Sequence, residues 1–386
     1  MDFELTEEQV MFRDLAHKFA EQEMLPRLRE HEVEGKYQYE LVEKAAKVGL
    51  VAPHISQEYG GLGLDYVTTA VIMEEVCWAS YSTTHNFLGG PVQPGSIIEK
   101  AGTEEQKQRW LLPMCRGELA MAGAAVEPGA GSDATAIETT AVRSGNKWVI
   151  NGTKVFICDG GIADVVLVLV QTDKSKGPRG LSVFAVERGT PGFSSADIKT
   201  MLCWRAANWA NLRFSDCEVP LENQVGEIGH GLRVMFNGIQ VARLMVIMGC
   251  VGMSRSCLES VIKYAKERKA FGKQLGGFQL IQGVIAEISS QIEAVRLLGY
   301  RYAQLLDKNA RERILAGAHA KYLAMKLVKL ATAEAVRLFG AYGLIDEYPV
   351  ERHYRDALPT TLMGGTPEMM ALTIGRELLE IDAMRG

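Results

Sequence analysis

The stretch "RILAGAHAKYLAMKLVKLATAEAVRLFG", Arg313 to Gly340, is longer than an average helix and has no proline to interrupt it. Two stretches of the same kind come before it, "GMSRSCLESVIKYAKERKAF" from Gly252 and "GVIAEISSQIEAVRLLGYRYAQLLDK" from Gly283. No proline lies between Pro220 and Pro349, so nothing forces these helices to break. The pattern predicts a helical bundle over residues 229–386.

The residues before the predicted bundle have a β-rich rather than a helical pattern. "VVLVLVQT", "GLSVFAVERG" and "ANLRFSDCEVP" are β-rich runs, and "KWVINGTKVFI" is interpreted as two short strands around an Asn151-Gly152 turn. These runs predict a compact β domain over residues 119–228. Helical periodicity dominates the chain before it, which predicts an N-terminal helical domain over residues 1–118. The expected fold class is therefore α with a central β domain.

Composition narrows the class of protein. The 386 residues carry a net charge of -5 with no prominent Lys/Arg cluster, so we expect no nucleic-acid partner. The longest apolar run, "ADVVLVLV", is too short to span a bilayer, and the acidic N-terminus does not look like a signal peptide. The seven Cys form no CxxC pair and the seven His form no HExxH motif. We therefore expect a cytoplasmic chain with reduced thiols, no metal and no membrane contact.

Four local motifs follow one another along the chain: "VEPGAGSD" (Val126 to Asp133), "FICDGG" (Phe156 to Gly161), "RKAFGKQLGGFQ" (Arg268 to Gln279) and "FGAYGLIDEYPVERHYRDA" (Phe339 to Ala357). The glycines of the first motif let the backbone approach a planar ring closely. Arg268 offers a fork of donors to a pyrophosphate, and Phe271 offers an aromatic face. Together, and in this order, the motifs resemble those of the acyl-CoA dehydrogenase family over essentially the whole chain.

This resemblance implies FAD as cofactor and an acyl-CoA thioester as substrate. It also implies a site completed by a neighbouring subunit of a homotetramer, with electron-transfer flavoprotein or oxygen as electron acceptor. The implied cofactor contacts are Val126, Ser132, Phe156, Cys158, Arg268, Phe271, Arg337, Gly340, Thr366 and Glu368. The implied substrate contacts are Ser132, Arg243, Gln240, His85 and Trp204.

The chain departs from the family where the chemistry is done. The family removes the α-proton with a glutamate at one of two positions, which correspond here to Gly364 and Ala242. Both positions lack a carboxylate. Gly364 still supplies the backbone N–H that in the family helps bind the thioester oxygen, so the oxyanion site survives. Val126 and Cys158 also replace threonines, the second of them beside flavin N5 in the family.

Several chemistries are open to an enzyme of this family without its glutamate. A displaced base, as in alicyclic acyl-CoA dehydrogenases, is one; His85 is the only histidine placed near the acyl channel, and "HNFLGGPVQPGS" offers no Asp or Glu. A 2-carboxyacyl-CoA that loses CO2 instead of a proton is the second. Oxygen chemistry, as in a flavin monooxygenase, is the third, and a non-catalytic flavin-binding subunit is an alternative of another class.

The second option explains both vacancies with one cause, and it resembles the decarboxylating benzylmalonyl-CoA-type branch of the family. A carboxylate in place of Gly364 or Ala242 would repel the carboxylate of such a substrate. Arg243 is the first candidate to bind the substrate carboxylate and Arg205 is the second. Trp204 and Trp209 are interpreted either as a flat wall for an aromatic tail or as core residues.

Overall fold

The computed structural model describes residues 4–383. Its helices are α1 Glu7–Phe19, α2 Leu28–Glu34, α3 Tyr39–Lys47, α4 Tyr66–Ala79, α5 Tyr81–Thr84, α6 Gly90–Ala101, α7 Glu104–Gln106, α8 Leu112–Cys115, α9 Gly231–Glu267, α10 Gln279–Asp307, α11 Arg313–Phe339, α12 Pro349–Thr360 and α13 Pro367–Leu379. Its strands are β1 Met121–Ala124, β2 Thr140–Ser144, β3 Lys147–Cys158, β4 Val165–Gln171, β5 Leu181–Glu187, β6 Phe193–Asp197, β7 Trp209–Pro220, β8 Gln224–Val225, β9 Lys269–Ala270 and β10 Lys273–Gln274. The expected fold class, helical with a central β domain, is confirmed.

The central domain is one mixed sheet of eight strands. The strand order is β6-β7-β3-β2-β4-β5-β8, and β1 pairs in parallel with β4. β4 is buried along its whole length, as expected for the continuous apolar run in its sequence. The domain boundaries at 118/119 and 228/229 stay predictions; the first strand begins at Met121 and the bundle's first helix at Gly231.

The predicted turn at Asn151-Gly152 is wrong. Lys147–Cys158 is one continuous strand, and the two-residue hairpin turn lies earlier, at Gly145 and Asn146, where Gly145 has a φ of 62°. Gly152 instead lies at a register shift between β3 and β7. A Cβ there would come within 2.4 Å of the Thr139 side chain, so glycine is required by close packing rather than by a turn.

α9 contacts both the N-terminal helices and the other long helices of the bundle. It packs against α4, α6, α10 and α11, and it brings the N-terminal helices and the bundle into one apolar core. Among the helices of residues 4–383, only α9 is long and apolar enough to cross a membrane, but 78% of its most apolar window is buried in the protein. That degree of burial is typical of a helix in the core of a protein.

Candidate functional site

The segment Met363–Gly365 connects α12 to α13 and carries the first vacant base position. Gly364 and Gly365 have φ values of 63° and 103°, a region that favours glycine. The hydroxyl of Thr366 then caps α13 by accepting from the N–H of Met369. The N–H of Gly364 donates to no acceptor within the described residues, so it is free to bind a thioester oxygen.

Two buried cations hold this segment by its carbonyl groups. The Nζ of Lys321 on α11 donates to the carbonyl of Met363 and, at 2.6 Å, to that of Gly365. The Nε and Nη2 of Arg243 on α9 lie 3.4 and 3.3 Å from the carbonyl oxygen of Gly364. Three successive carbonyls therefore point at the two cations, and this fixes the direction of the peptide group that carries the Gly364 N–H.

Neither cation has an acidic partner within residues 4–383. Arg243 is 5% exposed, and its burial lowers the pKa of the guanidinium. Lys321 is completely buried; burial, and then the nearby charge of Arg243, lower the pKa of its ammonium group to about 7. A buried charge without a counter-ion is costly, so Arg243, together with Lys321 when it is protonated, favours an anionic ligand.

Sequence reasoning missed Lys321, although the sequence contains a signal for it. Gly317, Lys321, Ala324 and Val328 recur at helical spacing, and all of them are buried on one stripe of α11. A lysine in the middle of an apolar stripe is unusual and points to a buried polar partner. That partner lies more than forty positions away in sequence, so the spacing alone does not identify it.

Ala242 and Gln240 lie near Arg243 on α9. Ala242 is partly exposed, and no carboxylate stands at this second vacant position. Gln240 is buried, and its Oε1 accepts a hydrogen bond of 2.7 Å from the hydroxyl of Tyr302. Its side-chain nitrogen has no partner among the described residues, so a donor is left over for a ligand.

A second group of chemically active side chains surrounds His85. The Nδ1 of His85 lies 3.0 Å from the Oδ2 of Asp159 and 3.5 Å from the thiol of Cys158. Both His85 and Asp159 are buried, and the other carboxylate oxygen of Asp159 has no partner. A Cβ at Gly90 would lie 2.4 Å from that carboxylate, so glycine makes room for the pair.

The sequence segment around His85 has no acid, but the fold supplies one from the end of β3. A carboxylate on Nδ1 fixes the imidazole tautomer and leaves Nε2 for proton exchange, the arrangement of an acid–base pair. The donor atoms of His85, Cys158 and Asp159 all lie within 4.8 Å of one another, a spacing that metal ligands also have. The absence of a metal therefore stays a prediction.

Trp204 lies in the core. It is fully buried, stacks on Tyr81 with ring centroids 4.7 Å apart, and has a φ of 51°. Its backbone N–H donates to the Oδ1 of Asp356 at 2.8 Å, and burial raises the pKa of that carboxyl to about 7. Trp204 contacts the candidate site through His85; the centroids of the two rings lie 5.5 Å apart.

Arg205 does not lie with Arg243. It is exposed and lines a cleft of about 1220 Å³ whose lining residues include neither Arg243 nor Gly364. Trp204 and Trp209 line the same cleft. The structure therefore brings Arg243 to the vacant position Gly364 and leaves Arg205 outside, which removes support for Arg205 as a carboxylate ligand.

The predicted flavin contacts of the β domain form an open apolar ledge. Val126 and Phe156 are exposed, and the backbone of Val155 donates to the carbonyl of Val126. A Cβ at Gly129 or Gly131 would meet nothing within 4 Å, so the loop that contains Ser132 leaves open space. Such a ledge fits the flat face of an isoalloxazine ring.

A buried ion pair anchors this loop. The carboxylate of Glu127 accepts from Lys154 at 2.7 Å and from the backbone of Glu138 and Thr139. These donors lower the pKa of Glu127 in spite of its burial. The Glu127–Lys154 ion pair thus holds in place the loop that would contact the flavin ring.

The other predicted flavin contacts lie on the bundle. Phe271 is 97% exposed at the turn between β9 and β10, next to Arg268 at the end of α9. This hairpin packs against α9. Arg337 pairs with Glu334, Gly340 has a φ of 62°, and Glu368 lies in the first turn of α13.

Comparison with known proteins gives matches along the whole chain. Residues 6–118 match the model of the acyl-CoA dehydrogenase N-terminal domain, residues 122–217 that of the middle domain and residues 229–379 that of the C-terminal domain. The short-chain-specific acyl-CoA dehydrogenase of Clostridium acetobutylicum is 36% identical over 98% of this chain and all of its own length. Cyclohex-1-ene-1-carbonyl-CoA dehydrogenase of Syntrophus aciditrophicus is 36% identical over 97% of this chain and 91% of its own. The structure of butyryl-CoA dehydrogenase from Megasphaera elsdenii superimposes with a TM-score of 0.94 at 34% identity, over 98% of this chain and all of that one.

Proposed function

Because this chain belongs to the acyl-CoA dehydrogenase family, we propose that it oxidises the α,β bond of a 2-carboxyacyl-CoA and releases CO2. The family is FAD-dependent, and FAD is the cofactor of this enzyme. The substrate class in this proposal is an aryl- or alkylmalonyl-CoA. Arg268, Phe271, Thr366 and the ledge at Phe156 would hold the flavin.

One observation carries the proposal. Arg243 is buried beside the vacant position Gly364 and, within residues 4–383, has only the backbone carbonyl of Gly364 as hydrogen-bond partner. A buried charge that lacks a counter-ion costs several kcal/mol unless a ligand supplies one. A substrate with an extra carboxylate supplies that counter-ion, whereas a plain acyl-CoA does not.

The reaction needs no base. The bond between the α-carbon and the carboxylate breaks, and its electron pair forms the α,β double bond while hydride leaves the β-carbon. FAD, when bound, would supply the acceptor for this hydride. The substrate loses one carbon as CO2 and two electrons, so no proton has to be removed. The free N–H of Gly364 stabilises the charge that develops on the thioester oxygen.

A second function has an observation of its own. The His85–Asp159 pair has the composition and spacing of a displaced base, so oxidation of a plain or alicyclic acyl-CoA by proton abstraction is the alternative. The arrangement at Arg243 favours the first function, because proton abstraction by His85 leaves the buried cations without an anion.

Anaerobic bleaching of the flavin by pairs of plain and 2-carboxylated thioesters tests the proposal. We expect methylmalonyl-CoA or a longer homologue to bleach the flavin and its plain counterpart to leave it oxidised. Bleaching by the plain thioester alone would contradict the proposal and favour the His85–Asp159 alternative. Oxygen uptake with substrate oxygenation would indicate a monooxygenase, and a flavin that no thioester bleaches would indicate a non-catalytic subunit.

The remaining parts of the proposal concern the surroundings of the site. The electron acceptor is electron-transfer flavoprotein or oxygen, and rapid mixing of the reduced enzyme with each of them distinguishes the two. The exposed Phe271 supports a homotetramer in which a neighbouring subunit completes the flavin site. Light scattering of the purified enzyme measures that state. We place the enzyme in the cytoplasm.

A further inference from the structure

We propose that His85, Cys158 and Asp159 form a binding site for a divalent cation of the zinc class, to which each side chain supplies one ligand atom. The inference goes beyond the proposed function and does not depend on it. It runs against the expectation of a chain without metal, which rested on the lack of a local motif in the sequence. Here the ligands come from two segments more than seventy positions apart, so no local motif would show them.

The separations of the donor atoms carry the first step. The Nδ1 of His85 lies 3.0 Å from the Oδ2 of Asp159 and 3.5 Å from the Sγ of Cys158, and the donor atoms of the cluster all lie within 4.8 Å of one another. In a tetrahedral zinc site the bond lengths put neighbouring nitrogen and oxygen ligands about 3.4 Å apart, and nitrogen and sulfur ligands about 3.6 Å apart. The observed separations are close to these values, so a cation between the donor atoms requires only small rotations of the side chains.

The backbone carries the second step. Successive side chains of a regular strand point to opposite faces, yet the neighbours Cys158 and Asp159 both contact the same ring nitrogen. They do so because Asp159 follows the last residue of β3 and has a φ of 59°, which turns its side chain back toward that of Cys158. The N–H of Asp159 donates to the carbonyl of Asn208 at 2.8 Å and holds this conformation. Such a φ is uncommon outside glycine, and residues held in this way cluster at functional sites and ligand clamps.

Charge and hydrogen bonding carry the third step. Asp159 is 2% exposed, and its Oδ1 has no partner among residues 4–383. A buried carboxylate oxygen without a donor is costly, so it indicates a missing partner. A thiolate at Cys158 and the carboxylate of Asp159 balance the two charges of a dication, and the neutral imidazole of His85 completes the set of ligands.

Access carries the fourth step. Cys158 is partly exposed and follows the exposed Phe156 on β3, whereas His85 and Asp159 are buried. A cation therefore reaches the donor atoms from the side of Cys158, and a water on that side would be the fourth ligand. The cation takes the place of the protons that the thiol and the imidazole otherwise hold, so no cavity behind the pair is required. A thiolate and an imidazole favour zinc over magnesium or calcium, which prefer oxygen ligands.

A hydrogen-bonded His85–Asp159 pair with a neighbouring thiol, and no metal, makes a different prediction. Such a pair retains no zinc against a chelator, and loss of the Cys158 thiol changes nothing in metal binding. Zinc and cadmium separate the two arrangements, because a cadmium–thiolate bond gives an ultraviolet absorption band that a free thiol does not have.

The experiment uses the purified FAD-loaded enzyme, freed of metal by a chelator and then titrated with Zn²⁺ and with Cd²⁺. Bound zinc is measured by competition with a chromophoric chelator, and the cadmium band by difference spectroscopy. The variants are Cys158→Ser and Asp159→Asn. The control is Cys203→Ser, since Cys203 is also a free cysteine but belongs to no ligand cluster among the described residues.

We expect wild type and Cys203→Ser to bind one zinc ion per chain and to give the cadmium band. Cys158→Ser should lose the band, and both site variants should weaken zinc binding by at least about tenfold. X-ray absorption at the zinc edge tests wild type without any variant, so a variant that folds poorly does not decide the outcome. We expect it to show one sulfur ligand, with nitrogen and oxygen as the others.

Three results would each overturn the inference: no zinc binding by wild type, a zinc shell without sulfur, or zinc binding that Cys158→Ser and Asp159→Asn leave unchanged. No thioester is used in the experiment, so these results leave the proposed function to its own test.

Discussion

Replacing Gly364 with glutamate should exchange one substrate class for the other. The Cβ of the new side chain would lie in tight contact with the Nζ of Lys321, at 3.2 Å, and its carboxylate would extend from the position where the proposed function requires that no acid stands. Two like charges about 4 Å apart repel by roughly 4 kcal/mol at the effective dielectric of a partly screened site. Partial protonation of the glutamate reduces this figure, so we expect a loss of about 100-fold in kcat/KM with a 2-carboxyacyl-CoA.

The backbone adds a cost that must be separated from charge. Gly364 has a φ of 63°, and any other residue in this region costs about 1–2 kcal/mol. Gly364→Gln has the same backbone strain and nearly the same bulk as Gly364→Glu but no charge. The comparison of these two variants therefore isolates the carboxylate.

The assay is the rate of anaerobic flavin reduction by methylmalonyl-CoA and by propionyl-CoA, which differ only in the carboxylate. We expect Gly364→Glu to be slower than Gly364→Gln with the first thioester. With the second thioester it should be faster, by about 100-fold or more if the glutamate acts as a general base. Equal rates for the two variants with both thioesters would show that position 364 does not face the α-carbon, and would refute the reasoning.

Other predictions follow from the same geometry. Arg243→Ala should weaken the binding of a 2-carboxyacyl-CoA by at least about tenfold more than that of the plain thioester, measured by titration of the flavin spectrum. The double variant of His85→Gln with Asp159→Asn should keep CO2 release within about threefold of wild type, because the proposed reaction uses no base; a loss of 100-fold would identify the pair as the base. Burial lowers the pKa of Lys321 from 10.5 to about 7, so the unfolded chain binds more protons between these values. The stability of wild type relative to Lys321→Met, from urea unfolding, should therefore be lowest below pH 7 and rise up to about pH 10. The purified enzyme should release FAD rather than FMN on denaturation, as chromatography of the released flavin would show.

Much of this architecture is readable from sequence because its signals are local. Long proline-free helical runs and short β-rich runs predicted the order of helical, β and helical regions, and four motifs in order indicated the family. The prediction of a turn at Asn151-Gly152 is wrong because the preference of Asn-Gly for a turn is only local. Here the pairing of β3 with β7 along both halves of the strand outweighs it.

The contacts of the candidate site are not local, and this is why sequence reasoning found only part of it. His85 was selected, but its partner Asp159 comes from the end of a strand in another domain. In the sequence, Lys321 is one lysine among several on a long helix. Only the fold places it against the carbonyls of Met363 and Gly365. The vacant positions were visible as departures from a motif, whereas the cations around them became visible only in three dimensions.

The most direct test of the central claim is the ratio of CO2 released to flavin reduced in a single anaerobic turnover of a 2-carboxyacyl-CoA. We predict one CO2 for each flavin reduced, a slower reduction when the β-carbon carries deuterium, and no exchange of an α-hydrogen with solvent. Flavin reduction without CO2 release, accompanied by loss of the α-proton, would contradict the account.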